Sequence, residues 1–394
     1  MSSTTPATEQ LAQVAHRLAP LGSTIFTEMS QLAQAHGAIN LGQGFPDFDG
    51  PEFVKKAAIE AITAGHGQYA PMSGIPRLSR LIAQRFATDT GLSVDPVAEV
   101  TVTSGCTEAL AASFLGLVNP GEEVVLFEPY YDSYPACLAM AGATPRFLTL
   151  RPPEFSVDEG ALRAAFGPKT RAILLNTPHN PTGKVFSRSE LELIAEMCRR
   201  HDAIAITDEV YERLVFEGEH VRLATLQGMR DRTVTLSSMG KTFSLTGWKV
   251  GWAIACPKLT AGVRAAHQFL TFATATPLQH GAAAALEAPP SYYRTLLDGY
   301  RKRRALLVEG LAAIGFEVYP PQGTYFVLAD HTPFGLPDDV SFCRHLIEKV
   351  GVAAIPPSAF YHDPADGRNL VRFAFCKNEQ TLCEALDRLS ALRR

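Results

Sequence analysis

The sequence has no CxxC pair, and its seven cysteines are scattered and odd in number. That argues against a disulfide framework or a zinc site, so no metal is expected and a reducing compartment fits best. There is also no uninterrupted apolar run of membrane-spanning length. The opening MSSTTPATEQLAQVAHRLAP lacks the basic stretch and apolar core of a signal peptide. Charge of one sign is scarce too. Lys and Arg total 36 against 40 Asp and Glu, a net charge of −4 with no long basic run. Nucleic acid and anionic membranes are therefore poor partners, whereas a small anion held by local charge is not excluded. The expectation is a cytoplasmic protein acting on small molecules.

A chain of 394 residues, 46% hydrophobic and 19% charged, suits one large domain or two. Through its middle, short apolar runs alternate with helical patterns: EVTVT, EEVVLFE, RAILLN, AIAITDE and TVTLSS. Such alternation predicts a mostly parallel α/β sheet covered on both faces. Polar residues and glycines cluster just after each run, at the edge where open α/β sheets bind ligands. The last hundred residues mix a helix (RKRRALLVEGLAAIG), a hairpin-like pair (FEVYPPQGTYFVLAD) and a closing helix, which predicts a smaller α+β domain. The first fifty residues cannot form a core alone and are expected to join it. The predicted division is 1–49 as N-terminal arm and part of the small domain, 50–290 as large domain, and 291–394 as small C-terminal domain.

Four stretches carry chemistry. In VTVTSGCTEAL a strand ends at a Ser-Gly turn and a helix begins, so Gly105, Cys106 and Thr107 could offer backbone N–H groups to a phosphate. An ordinary capped helix gives the same pattern. NTPHNPTG is a rigid turn that could aim Asn180 inward, or a plain loop. In ITDEVY, Asp208 ends an apolar strand, where a carboxylate is costly unless it is partnered, and Tyr211 follows. SSMGKTFSLTGWKVGW sets Lys241 and Lys249 in an apolar, glycine-rich context. Burial and a second cation lower a lysine's pKa and make its amine nucleophilic. Two surface lysines with apolar stems are the alternative. Taken together, these pieces match what pyridoxal phosphate needs: a phosphate cradle, an acid for its pyridine nitrogen, partners for its phenolic oxygen and a covalent lysine.

Asn180-Pro-x-Gly, Asp208-x-x-Tyr211, Ser238-x-x-Lys241 and Lys249 together resemble the fold type I, class I/II aminotransferases over nearly the whole chain. NLGQGFPDF, NTPHNPTGKVF, TDEVY, GKTFSLTGWKVGW and AAIPPSAFY narrow the resemblance to the methionine aminotransferases and the kynurenine aminotransferase/glutamine transaminase K group. The resemblance implies a homodimer that binds pyridoxal 5′-phosphate and moves an amino group between an amino acid and a 2-oxo acid. It implies that Lys241 holds the cofactor covalently and carries the α-proton. Asp208 would pair with the pyridine nitrogen, Asn180 and Tyr211 with the phenolic oxygen, and Tyr131 would stack on the ring. Ser238, Lys249 and the Gly105–Thr107 amides would hold the phosphate, with Tyr69 reaching across from a second subunit. Arg372 would clamp the substrate carboxylate, which Gly44 lets approach. Phe26 stands where the kynurenine group usually has Trp. A pocket of Phe26, Tyr69 and Phe272 suits a thioether or a modest aromatic, so methionine is the first expectation. Kynurenine or glutamine transamination, cysteine-S-conjugate β-elimination and succinyl-diaminopimelate transamination stay open.

Overall fold

The apolar runs of the middle of the chain line up in one sheet. The computed structural model describes residues 15–22 and 24–393. The first fourteen residues of the predicted 1–49 arm, and with them most of the stretch read for a signal peptide, lie outside the described residues. In chain order the strands are β1 (Ile39–Asn40), β2 (Val100–Thr103), β3 (Glu123–Glu128), β4 (Thr144–Thr149), β5 (Thr170–Asn176) and β6 (Ile204–Asp208). They continue with β7 (Thr233–Ser238), β8 (Gly251–Ile254), β9 (Glu317–Tyr319), β10 (Phe326–Asp330), β11 (Val352–Ala353) and β12 (Leu370–Ala374).

The seven-stranded sheet has the order β2-β8-β7-β6-β5-β3-β4. From β7 to β4 every neighbouring pair is parallel. β8 runs antiparallel to both β2 and β7. Alternation explains why the strands read as unbroken apolar runs. Val124 and Leu126 join a core with Leu110, Phe114 and Leu138 on one face. Val125 and Phe127 join Phe186, Leu191 and Ile194 on the other. Sequence patterning does not single out β4 or β8. β4 is an edge strand containing Pro145 and Arg146, and it is only partly buried. β8 sits inside the glycine-rich stretch that holds the lysines.

Helices close both faces by local rules. Ser187 and Glu190 form a reciprocal capping box that starts the helix Arg188–Arg200. The helix Gly105–Leu117 lies against the helix Pro257–Leu270 so tightly that a β-carbon on Gly116 would stand 2.0 Å from Gly262 O.

A second core gathers both ends of the described chain. β9, β10 and β12 form an antiparallel sheet, and β1 pairs with β11 in parallel. Met29 and Ala33 of the helix Ile25–His36 are buried there with Leu307 and Leu311 of the helix Pro290–Ile314 and with Leu382 near the C-terminus. All seven cysteines are free thiols. No helix among the described residues is long and apolar enough to cross a membrane.

The glycine contact gives a direct test. Gly116→Ala drives a methyl group into backbone, which packed interiors absorb only by shifting, at a cost of about 1–3 kcal/mol. We expect a lower thermal unfolding midpoint by calorimetry, whereas Gly167→Ala, in a loop with open space around it and no left-handed backbone, leaves the midpoint nearly unchanged.

Candidate active site

β2, β3, β5, β6 and β7 all run the same way, so their C-terminal ends share one edge of the sheet. A cavity of about 380 Å³ opens there. Gly105, Cys106 and Thr107 follow β2, Tyr131 follows β3 and Asn180 follows β5. Asp208 ends β6, with Tyr211 just beyond. Ser238 ends β7, with Lys241 just beyond, and Lys249 precedes β8. Phe26 and Gly44 come from the N-terminal part, and Arg372 comes from β12. All of these line the one cavity. Tyr69 and Phe272 do not. Tyr69 is 87% exposed and Phe272 42% exposed on the surface of the chain, their rings packed edge to face at 5.7 Å. Phe272 is therefore not a wall of this chain's own cavity, contrary to the pocket composition expected from the sequence.

Asp208 is buried, and one carboxylate oxygen accepts the Tyr134 hydroxyl at 2.9 Å. The other accepts the Val210 N–H at 3.3 Å. Burial raises its pKa, and the Tyr134 hydroxyl, the Val210 amide and the Cys106 thiol offset this in part. Asn176, at the end of β5, ties the two neighbouring turns together. Its side-chain N–H donates to Asp208 O at 2.9 Å, and its side-chain oxygen accepts the Asn180 N–H at 2.7 Å. Sequence reasoning missed Tyr134 and Asn176, although Asn176 opens NTPHNPTG and Tyr134 lies three residues after Tyr131.

Lys241 stands over two adjoining rings, its Nζ 5.8 Å from the Tyr211 centroid and 5.7 Å from that of Tyr325. Its pKa is lowered. Burial is the main cause and the positive field of Lys249 a smaller one. Lys249 adopts a left-handed backbone conformation (φ 52°) and its ammonium donates to Thr107 Oγ1 at 3.3 Å. The lysine lies across Gly105, where a β-carbon would stand 3.1 Å from Lys249 Cε. Gly105 itself has φ 77°. Ser104 makes no side-chain cap, so the first N–H groups of the helix Gly105–Leu117 are not covered by it. Three kinds of donor, helix amides, an ammonium and hydroxyls, thus meet at one turn and suit an anion.

Arg372 is 2% exposed. Among the described residues no carboxylate lies within ion-pair distance of it. One terminal N–H donates to Gly42 O at 2.7 Å, another to Asn180 Oδ1 at 3.4 Å, and Nε has no partner. Its guanidinium carbon lies 4.2 Å from the ring centre of Phe326, 5.1 Å from that of Phe26 and 5.3 Å from that of Phe360. Burial pulls its pKa down to about 10. A cation so placed, with an unused donor, fits a carboxylate brought by a ligand. A β-carbon on Gly44 would stand 2.5 Å from the Phe326 ring, so packing within the chain already requires glycine there.

The turn after β6 also has a far side. Glu209 and Glu212 point away from the cavity to Arg222, whose guanidinium pairs with both and with Asp89. Glu209, Glu212 and His220 lie close enough together to hold a metal ion, but the Arg222 guanidinium already occupies both carboxylates.

The donor set matches a phosphorylated pyridine aldehyde: an anion cradle, a buried carboxylate, two phenolic-oxygen donors and an amine of lowered pKa. Comparison with known proteins agrees. A family model described as aminotransferase class I and II matches residues 36–389. A probable N-succinyldiaminopimelate aminotransferase of Mycobacterium tuberculosis is 50% identical over 388 residues, covering 95% of this chain and 98% of that protein. The solved structure of N-succinyldiaminopimelate aminotransferase from that organism matches with a TM-score of 0.94, covering 97% of this chain and 100% of the other. The methionine aminotransferase of Escherichia coli is 42% identical over 377 residues, covering 95% and 97% of the two chains. An Escherichia coli structure in which a methionine aminotransferase function was identified matches with a TM-score of 0.92, covering 96% and 99%. Human kynurenine–oxoglutarate transaminase 1 is 37% identical over 407 residues, covering 95% and 96%. The chain thus belongs to the class I and II aminotransferases, and it is a pyridoxal-phosphate-dependent transaminase of the type I fold.

Proposed function

We propose that this transaminase moves the amino group of an L-amino acid with an apolar or sulfur-containing side chain, methionine first, to a 2-oxo acid. The carrying observation is that, among the described residues, Arg372 is the single arginine of the cavity, whose other walls include Phe26, Phe45, Cys106 and Leu110. One guanidinium serves the α-carboxylate, and no second one in this chain's cavity faces a charged side chain. Thioethers and modest aromatics pack well against such rings.

In this reading each residue has one task. Arg372 binds the α-carboxylate and turns the α-C–H toward Lys241, with Gly44 leaving that side open. Lys241 would hold the cofactor through its aldehyde, and its neutral Nζ would take the α-proton and return it. Asp208, oriented by Tyr134, keeps a proton on the pyridine nitrogen. Asn180 and Tyr211 hydrogen-bond the phenolic oxygen, and Tyr131 covers a face of the ring. Ser238, Lys249 and the amides of Gly105, Cys106 and Thr107 hold the phosphate. When bound, pyridoxal phosphate supplies the electron sink for the pair left at the α-carbon. The exposed Tyr69 and Phe272 serve a second copy of the chain, Tyr69 reaching the partner's phosphate, so the enzyme works as a homodimer. Seven free thiols and the absence of a membrane-spanning helix among the described residues support a cytoplasmic setting.

The 50% identical relative favours a second reading, with N-succinyldiaminopimelate as the amino compound. That substrate carries a carboxylate far from the reacting amine, and its cation would have to come from the partner subunit.

Half-reactions decide between the two. The yellow enzyme is mixed with one amino compound and no 2-oxo acid, and conversion to the pyridoxamine phosphate spectrum is timed. We expect methionine to exceed N-succinyldiaminopimelate in kcat/KM by at least about tenfold, the scale that a few apolar contacts supply. The reverse ranking would move the assignment to the second reading. Conversion by neither, with pyruvate released from cysteine conjugates, would replace transamination by β-elimination.

Arg372→Lys keeps the charge but loses the planar fork. We expect kcat/KM for methionine to fall about a hundredfold while the cofactor spectrum is retained.

Lys241 gives a pH signature. Only its neutral amine attacks an aldehyde, and the neutral fraction grows as pH rises through the pKa. Because that pKa is lowered, the rate at which apoenzyme takes up pyridoxal phosphate should level off below the ordinary lysine value of 10.5. Stopped-flow absorbance follows the uptake, and Lys241→Ala should show no covalent uptake at any pH.

A further inference from the structure

His267 has no place in the site described so far, yet it touches two segments that border it. It lies on the helix Pro257–Leu270, is fully buried, and does not line the cavity. Its Nδ1 is 2.9 Å from Glu108 Oε1, and its Nε2 is 2.9 Å from Met72 O. A carboxylate and a carbonyl only accept, so both ring nitrogens must donate and the ring is an imidazolium. Burial opposes that charge, but Glu108 and the backbone carbonyls outweigh it and the pKa is raised. Thr271 Oγ1 adds a contact to Nδ1 at 3.3 Å.

The two partners of the ring lead to different places. Glu108 sits in the first turn of the helix Gly105–Leu117, and its other oxygen accepts the Ser104 N–H at 3.0 Å. Ser104 is the residue just before the phosphate turn. Glu108 therefore takes up the N–H that precedes the turn and fixes the angle at which Gly105, Cys106 and Thr107 present theirs. Met72 lies in the loop that carries Tyr69. Around that loop, Thr276 Oγ1 donates to Gln68 O at 2.7 Å and Gln279 Oε1 accepts the Ile75 N–H at 2.8 Å. The loop also meets the strand before the turn, Ser73 O accepting the Val102 N–H at 3.0 Å, but neither of these side-chain hydrogen bonds reaches the phosphate turn itself. His267 does, through Glu108.

We propose that His267, as an imidazolium clamped between Glu108 and Met72 O, is a positioning residue that locks the Gly105–Thr107 phosphate turn to the Tyr69 loop. It sets the aim of the phosphate donors without touching the cofactor. The proposal rests on the cofactor's phosphate lying at that turn, and it is independent of which amino acid is the substrate.

The test compares two ligands on the apoenzyme, pyridoxal phosphate and pyridoxal, which lacks the phosphate. Affinities are read by equilibrium absorbance. A clamp that aims phosphate donors matters for the first ligand only. We expect His267→Ala to weaken pyridoxal phosphate roughly tenfold, the scale of a lost charge-assisted hydrogen bond, and to change pyridoxal less than about twofold. Glu108→Ala should behave in the same way. Glu108→Gln should restore most of the affinity. Its amide can donate to a neutral Nδ1 and still accept from Ser104, while Nε2–H keeps Met72 O. Should His267→Ala fail to fold, His267→Gln, which retains one donor, is read by the same ratio. Equal weakening of both ligands, or no weakening of either, would overturn the clamp. If Lys249→Met also left the ratio of the two ligands at its wild-type value, the assignment of the phosphate site itself would fall instead.

Discussion

A guanidinium buried without a counter-ion is the constraint around which this molecule is arranged. Taking Arg372 out of water is expensive, and among the described residues no carboxylate lies within ion-pair distance to offset it, Asp132 acting only through its longer-range field. Three aromatic faces, one carbonyl and one side-chain amide hold it instead. Those groups come from distant parts of the chain: the N-terminal helix, the strap at Gly42, the turn after β5, and the small antiparallel sheet. Its position is therefore a product of the whole fold. The orphaned Nε shows the direction of the remaining demand. The site is finished by a ligand that brings its own negative charge.

The large sheet solves a different problem, which is convergence. Five strands pointing the same way deliver their first post-strand residues to one edge. Neighbouring turns are then cross-tied by side chains rather than left as loops. Asn176 joins the ends of β5 and β6, and Tyr134 joins the segment after β3 to Asp208. The turn after β6 is two-sided: Asp208 and Tyr211 serve the cavity, while Glu209 and Glu212 anchor its back through Arg222. The chemistry is presented on short, stiff segments, which suits a reaction that depends on orienting one C–H bond.

Much of this was legible in the sequence, for a physical reason. Strands buried on both faces cannot be anything but apolar, so β3, β5, β6 and β7 announce themselves. Asp208 and Lys241 stand out because a charge at the end of such a run needs a purpose. β8 and β4 were not legible, the first hidden among glycines and the second diluted by its exposed edge. The clamp of Glu108, His267 and Met72 was equally silent, because its partners are far apart in sequence and none of them is unusual where it stands. Phe272 was placed in the pocket because its ring suits one, but a ring's chemistry does not say which way a surface segment faces. Arg372 was legible through the family resemblance, whereas its aromatic surroundings, Phe326 and Phe360, belong to the fold and not to any local pattern.

The alternation in the turn after β6 bears on how such a chain can change length over evolutionary time. Asp208 and Glu209 are adjacent acids facing opposite ways, one toward the cavity and one toward Arg222. Successive strand residues point to opposite faces, so losing a single residue from β6 would exchange the two and reverse every apolar side chain behind them. Insertions and deletions are thus barred from the strands that aim the site, and are admitted only in the connections at the opposite edge of the sheet. Variation among related chains should be distributed accordingly, with lengths fixed on one side of the sheet and free on the other.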